Sequence, residues 1–174
     1  MLYFILILAI IGIIIYFAII GLSQLFSLYY GSPFIKTPPN IQNEIAKLAK
    51  LKPKETFYDL GCGSGEILRF IAKDSKIKVI GVEASPILYI YTKLLTKTYP
   101  NIKIVLENLM KIDLSNANVI YCYLYPKMMA KLQTKFLHEL KNGSRVISFQ
   151  FPLPDIKPAK IKQINKQKLY LYKF

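Results

Sequence analysis

The chain has 174 residues, enough for one domain and an appendage, with 24 Lys and Arg against 10 Asp and Glu and a net charge of +14. Mean hydropathy is +0.30 with 53% hydrophobic residues, a pairing foreign to an ordinary soluble domain. Its two cysteines do not point to a disulfide framework, and neither they nor the one histidine have metal-ligand spacing.

Residues 1–22 carry no charge, and the first charged residue is Lys36. At ~1.5 Å per residue such a run spans the ~30 Å hydrocarbon core, so a transmembrane helix is expected. No basic segment precedes it, and the only weak cleavage match is Gly21-Leu22-Ser23, so it reads as an anchor rather than a cleaved leader. Phe26, Tyr29 and Tyr30 fall where an interfacial aromatic belt would lie. Every Lys and Arg follows the helix, which predicts a single pass with the remainder on the cytoplasmic or matrix side. The expected divisions are a membrane helix and interfacial segment over 1–30, a proline-rich linker over 31–39 and one folded domain over 40–174.

In the linker, Thr37 is placed to cap the next helix, with Pro38 at its first position. That helix runs to about Lys50 on a stripe of Ile41, Ile45, Leu48 and Leu51. Strands and helices then alternate: strand 56–60, helix 66–73, strand 77–82, helix 86–98, strand 102–106, a loop through Asp113, strand 118–124, helix 127–141 and strand 145–151. In helix 86–98, Ile87, Tyr91, Leu94 and Leu95 are expected to face inward, and Asn142-Gly143 is expected to end helix 127–141. A loop with Pro152, Pro154 and Pro158 leads to a hairpin around Asn165-Lys166. The alternation predicts an α/β fold with a mostly parallel sheet, right-handed crossovers and an antiparallel C-terminal hairpin. His138 reads as an exposed helix residue, and Lys127, Lys131 and Lys135 as a solvated face opposite the apolar stripe.

The chemistry concentrates at Asp59-Leu60-Gly61-Cys62-Gly63-Ser64-Gly65-Glu66, a strand-to-helix turn. Its glycines allow a sharp bend and close approach of a ligand. Glu83, at the tip of the next strand, is placed to accept hydrogen bonds from ribose hydroxyls. The spacing is G-x-G-x-G, not the G-x-G-x-x-G of a dinucleotide site, and Asp59 and Glu66 would repel a pyrophosphate. Such acids suit a cofactor with a cationic amino-acid end.

These residues resemble the first motif, D/E-x-G-x-G-x-G, of the class I S-adenosylmethionine-dependent methyltransferases, which implies a Rossmann-like fold. Further stretches are similar to the small membrane-anchored protein-lysine N-methyltransferases that act on the adenine nucleotide translocase and the ATP synthase c-subunit, and to their prokaryotic relatives. They are the apolar N-terminal helix, Pro33-Phe34-Ile35-Lys36-Thr37-Pro38, residues 113–117, Leu124-Tyr125-Pro126-Lys127-Met128-Met129, residues 143–146 and Phe151-Pro152-Leu153-Pro154. The chain departs from that group at Ser64, where a second acid is usual, and in having only a proline loop after the fifth strand.

The resemblance implies S-adenosyl-L-methionine as cofactor, bound by Asp59, Gly61, Gly63, Gly65, Glu66, Glu83 and Asn108, and no metal. Asp59 and Glu66 would hold the methionine end, Glu83 the ribose and Asn108 the adenine. Tyr125 and the carbonyls near Pro126 would line an acceptor channel under a lid of Thr37 and Pro38, although Tyr125 reads equally as a rim aromatic. The implied partners are a membrane or membrane-proximal protein and the bilayer through the N-terminal helix. Nucleic acid is not expected, because Leu124-Tyr125-Pro126 replaces the N-P-P-Y/F of the base methyltransferases. Two other readings stay open: methylation of a lipid or lipophilic small molecule, and a non-catalytic cofactor-binding module.

Overall fold

The computed structural model describes residues 2–29 and 35–174, and in the first helix the side chains of residues 3–18, 20 and 21. Pro33, Phe34, Phe26, Tyr29 and Tyr30 therefore lie outside the described residues or side chains. Helix α1 (Leu2–Tyr29) precedes the sheet. Among the described residues, no helix is long and apolar enough to cross a membrane. The expected single pass is thus corrected, and the cytoplasmic or matrix placement that rested on it goes with it.

Seven strands form one sheet in the order β3-β2-β1-β4-β5-β7-β6. They are β1 (Thr56–Leu60), β2 (Lys78–Glu83), β3 (Ile102–Leu106), β4 (Val119–Cys122), β5 (Arg145–Phe149), β6 (Lys160–Ile164) and β7 (Gln167–Lys173). β1 to β5 are parallel, and β7 runs antiparallel to both β5 and β6. The fold is the Rossmann-like α/β architecture with a C-terminal hairpin. Chain order reverses at β1, whose C-terminal end therefore opens toward both β2 and β4, where a ligand crevice forms in an open α/β sheet.

Each strand sends alternate side chains to opposite layers. Phe57, Val79, Val119, Tyr121, Ile147 and Phe149 face one layer with Ile41 and Ile45 of α2 (Pro39–Ala49) and Ile67, Leu68 and Ile71 of α3 (Glu66–Ile71). Tyr58, Leu60, Ile80, Val82, Ile120 and Val146 face the other, with Met129, Leu132 and Phe136 of α5 (Pro126–Glu139). α2 begins one residue later than expected: Pro38 is its N-cap, Pro39 follows, and no side chain caps it.

Three expectations about the helices are overturned. On α4 (Pro86–Leu95), Ile87, Tyr91, Leu94 and Leu95 are exposed, and Thr92 is the buried helix residue. Lys135 is 8% exposed rather than part of a solvated face. Its ammonium donates to the Met110 carbonyl at 3.2 Å and pairs with Glu139 at 2.5 Å, which braces the loop after β3 against α5. Gly143 does not end α5, which stops at Glu139 with Leu140 extended. It turns the chain into β5 at φ 91°, and its N–H donates to the carbonyl of Phe174 at 2.7 Å.

No helix occupies the segment between β5 and β6. The proline loop there is pinned instead. Gln133 donates to the Asp155 carboxylate at 2.8 Å and accepts from the Asp155 N–H at 2.8 Å. The Leu153 N–H donates to the Tyr172 hydroxyl at 2.8 Å.

Candidate active site

β1 ends at Leu60, and the next five residues bend back over the end of β2. Gly61 and Cys62 both donate their N–H to the Val82 carbonyl, at 2.9 and 3.0 Å. Gly61, Gly63 and Gly65 stand at φ 78°, 52° and 73°. A Cβ on Gly65 would lie 2.8 Å from Cγ2 of Thr92, and one on Gly61 would lie 3.1 Å from the Leu124 side chain. The turn thus lies against α4 on one side and against the chain beyond β4 on the other. Thr92 donates its hydroxyl to the Gly63 carbonyl, which fixes the middle of the turn.

Three carboxylates surround this turn. Glu83 is 7% exposed and accepts from the N–H of Gly63 at 3.0 Å and of Ser85 at 2.9 Å. Burial holds its carboxyl above the usual range, and the backbone donors at Ser85, Gly63 and Ala84 oppose that. Asp59 is 3% exposed; burial pushes its carboxyl well up, and the charges of Glu83 and Glu66 push the same way. Glu66 opens α3, accepts from the Ser64 hydroxyl at 2.5 Å, and has the Lys36 ammonium at 3.9 Å. Ser64, which replaces the acid usual in the resembling group, therefore orients Glu66. A glycine cradle ringed by two buried acids and the half-buried Glu66, whose charges repel one another, fits a ligand that brings positive charge and hydroxyl donors, as S-adenosylmethionine does. Among the described residues, no group of three or more His, Cys, Asp or Glu is arranged to hold a metal.

The other expected residues divide. Thr37 does not cap α2. Its hydroxyl pairs with the Tyr121 hydroxyl at 2.8 Å, and its carbonyl accepts from Gln42 at 3.0 Å. Tyr121 is the β4 neighbour of Asp59 in register, so this bond ties residues 37 and 38 over the end of β1. Tyr125 is the N-cap of α5 and 40% exposed. Its carbonyl accepts from Met128 and Met129 at 2.9 and 3.0 Å, so that carbonyl is taken up by the first turn of the helix. Pro126 opens α5. Asn108 caps its own loop, its side-chain oxygen accepting from the Met110 N–H at 2.9 Å. The geometry thus gathers Asp59, Gly61, Gly63, Gly65, Glu66 and Glu83 around one turn, with Thr37 joined to it through Tyr121.

Tyr121 is not legible as a site residue from sequence, because its partner is 84 residues away in the chain. Burial pushes its phenol well up, so it stays neutral. Tyr121→Phe leaves the 8% exposed Thr37 hydroxyl without this partner. The expected cost is about 1–2 kcal/mol in urea unfolding. An unchanged midpoint would mean that the pair does not hold the segment.

The family model of the ANTKMT methyltransferase domain matches residues 59–160, more than half of the chain. A protein-lysine N-methyltransferase of Saccharolobus islandicus (strain REY15A) is 29% identical over 154 residues, covering 80% of this chain and 92% of that protein. The human lysine N-methyltransferase of the ATP synthase c-subunit is 26% identical over 129 residues, which is 72% of this chain but only 54% of the human protein. Among solved structures, an RNA methyltransferase of Salinibacter ruber in complex with S-adenosyl-L-homocysteine superposes with a TM-score of 0.75 at 24% identity, covering 80% of this chain and 93% of that one. A Geobacter sulfurreducens methyltransferase, also bound to S-adenosyl-L-homocysteine, gives a TM-score of 0.56 at 19% identity over 74% of this chain and 51% of that one. These two structures share the fold.

Proposed function

This chain belongs to the family of the ANTKMT methyltransferase domain and is an S-adenosylmethionine-dependent methyltransferase, and we propose that it methylates the side-chain amine of lysine in a protein. We place the catalytic domain at 40–174. The observation that carries the reading is the acid-ringed glycine turn of Asp59, Glu66 and Glu83, which Leu124, the residue before Tyr125, reaches at Gly61. S-adenosylmethionine supplies a methyl group on a sulfonium.

The chain's own residues have three tasks. Asp59 and Glu66 neutralise the positive charge of the bound methionine end, and Glu83 takes the ribose hydroxyls. Gly61, Gly63 and Gly65 let the backbone approach closely, and Asn108 lies beyond β3 on the adenine side. Tyr125, Pro126, Thr37 and Pro38 flank the acceptor. A lysine amine must be neutral to act as nucleophile, and free lysine titrates near ~10.4. A poorly hydrated aromatic wall lowers that value and fixes the nitrogen in line. In-line transfer then needs position and desolvation more than a strong base, which suits a site ringed by carboxylates and tyrosines.

The test is transfer of an isotopic methyl group from S-adenosylmethionine into protein, lipid and RNA fractions by the intact chain. Label on protein lysines is the expected result. Label confined to lipid or RNA overturns the lysine reading and leaves the methyltransferase assignment intact.

A further inference from the structure

Gln150, the first residue beyond β5, stands at φ 68°. This left-handed conformation is disfavoured for a residue that carries a Cβ, and it persists only where the surroundings fix it. Three hydrogen bonds do so. The Gln150 N–H donates to the Lys168 carbonyl at 2.8 Å, the Phe151 N–H donates to the Phe149 carbonyl at 2.9 Å, and Ser148 donates its hydroxyl to the Phe151 carbonyl. The reversal delivers the Phe151 ring to Tyr125. Their centroids are 5.6 Å apart and their planes meet at 82°. One residue before Tyr125, Leu124 reaches the glycine turn at Gly61. A second edge-to-face pair, Tyr123 with Phe149, has its centroids 4.6 Å apart.

We propose that Phe151 and Tyr125 form an aromatic clamp for the acceptor side chain, with Phe151 the residue that selects a lysine amine and its methylated forms. The proposal rests on the lysine reading above. An edge-to-face pair covers one ring's face and leaves the other ring's face open, and a cationic nitrogen is drawn to such a face. Each added methyl group makes the nitrogen larger and less strongly hydrated, so the clamp retains a partly methylated side chain for the next transfer. The strained Gln150 serves this placement, since an unstrained exit from β5 would carry residue 151 onward along the strand.

The test observes the rings directly. The protein, saturated with S-adenosylhomocysteine and labelled with carbon-13 in its Phe and Tyr rings, is titrated with Nα-acetyl-Nε-trimethyllysine amide and, separately, with the norleucine analogue. The expected result is a shift of the Phe151 and Tyr125 resonances with the trimethyllysine probe and little with norleucine. The Phe151 signal is assigned by its loss in Phe151→Leu. Equal shifts with both probes, or shifts confined to other rings, overturn the clamp.

A second readout is kinetic. Phe151→Leu should raise KM for the protein labelled in the assay above by about fivefold to tenfold and shift its products toward monomethyllysine, with cofactor affinity unchanged. Gln150→Gly, which relieves the strain and keeps the ring, should behave as the natural chain. Lysine labelling with an unaltered product distribution in Phe151→Leu defeats the clamp alone, whereas absence of lysine labelling in the natural chain defeats the lysine reading.

Discussion

Glu83→Ala is expected to weaken S-adenosylmethionine binding by about 100-fold or more while leaving the sheet intact. The carboxylate does two jobs at once. It accepts from the N–H groups of Gly63 and Ser85, at 3.0 and 2.9 Å, and so holds the glycine turn against the start of α4. It is also the acid at the tip of β2 that would receive ribose hydroxyls. Charged hydrogen bonds contribute about 1.5–3 kcal/mol each, and two of them correspond to at least a hundredfold in affinity. Glu83→Gln separates the two jobs. An amide oxygen can accept one backbone N–H, but its NH2 group faces the other donor, so one of Gly63 and Ser85 loses its partner. Its affinity should fall between those of the natural chain and the alanine variant. Calorimetric titration with S-adenosylhomocysteine measures all three. An alanine variant that binds within threefold of the natural chain would remove Glu83 from the cofactor site.

The sheet and the turn are legible in the sequence, because both rest on local signals. β1 and β3 begin and end where the apolar runs do, and the positive-φ glycines fall where the spacing requires them. What periodicity misses is direction. On α4 the apolar stripe of Ile87, Tyr91 and Leu94 reads as the buried face, yet it points outward. Periodicity reveals which residues share a face but not which face is inward. Packing decides here: α4 must approach the turn so closely that a Cβ on Gly65 would lie 2.8 Å from Thr92. Only the small face of Ser85, Thr92 and Thr96 can come so near, and Thr92 bonds the Gly63 carbonyl as it does so.

Lys135 misleads for a related reason, since a four-residue spacing of lysines resembles a solvated face until a loop folds over it. Its ammonium then satisfies the Met110 carbonyl that the loop brings inward. The hydroxyl pair of Thr37 and Tyr121 and the clamp of Tyr125 and Phe151 depend on chain segments that meet only in the folded sheet. Hydropathy over residues 1–22 is a statement about composition, and the described part of α1 does not meet the requirement for a crossing.

Cofactor affinity should rise with pH above the ordinary carboxylate range, and binding should release protons. Asp59 is the main group responsible, and Glu83, whose carboxyl burial also raises, adds to it in the same direction. In the free protein, burial pushes the Asp59 carboxyl well above the usual value, and Glu83 and Glu66 add to this. The free site therefore retains a proton that an exposed aspartate, titrating near ~3.9, would have lost. A bound sulfonium and α-ammonium favour the ionised form, so binding lowers the pKa and expels that proton. The same shift fixes the sign for stability. The unfolded chain ionises Asp59 first, so the folded state holds more protons in the window above ~3.9, and stability of the free protein falls as pH rises through it. Bound cofactor should recover that loss. Calorimetry in buffers of different ionisation enthalpy counts the protons released, and urea unfolding with and without S-adenosylmethionine follows the stability. Asp59→Asn should flatten both pH dependences and weaken binding at the upper end of the range, where the natural site is fully charged. If the natural chain bound with no proton release and no pH dependence, the cofactor's positive charge would have to be balanced elsewhere. Glu66, already bonded to Ser64 and within 3.9 Å of Lys36, would then be the acid left to carry it.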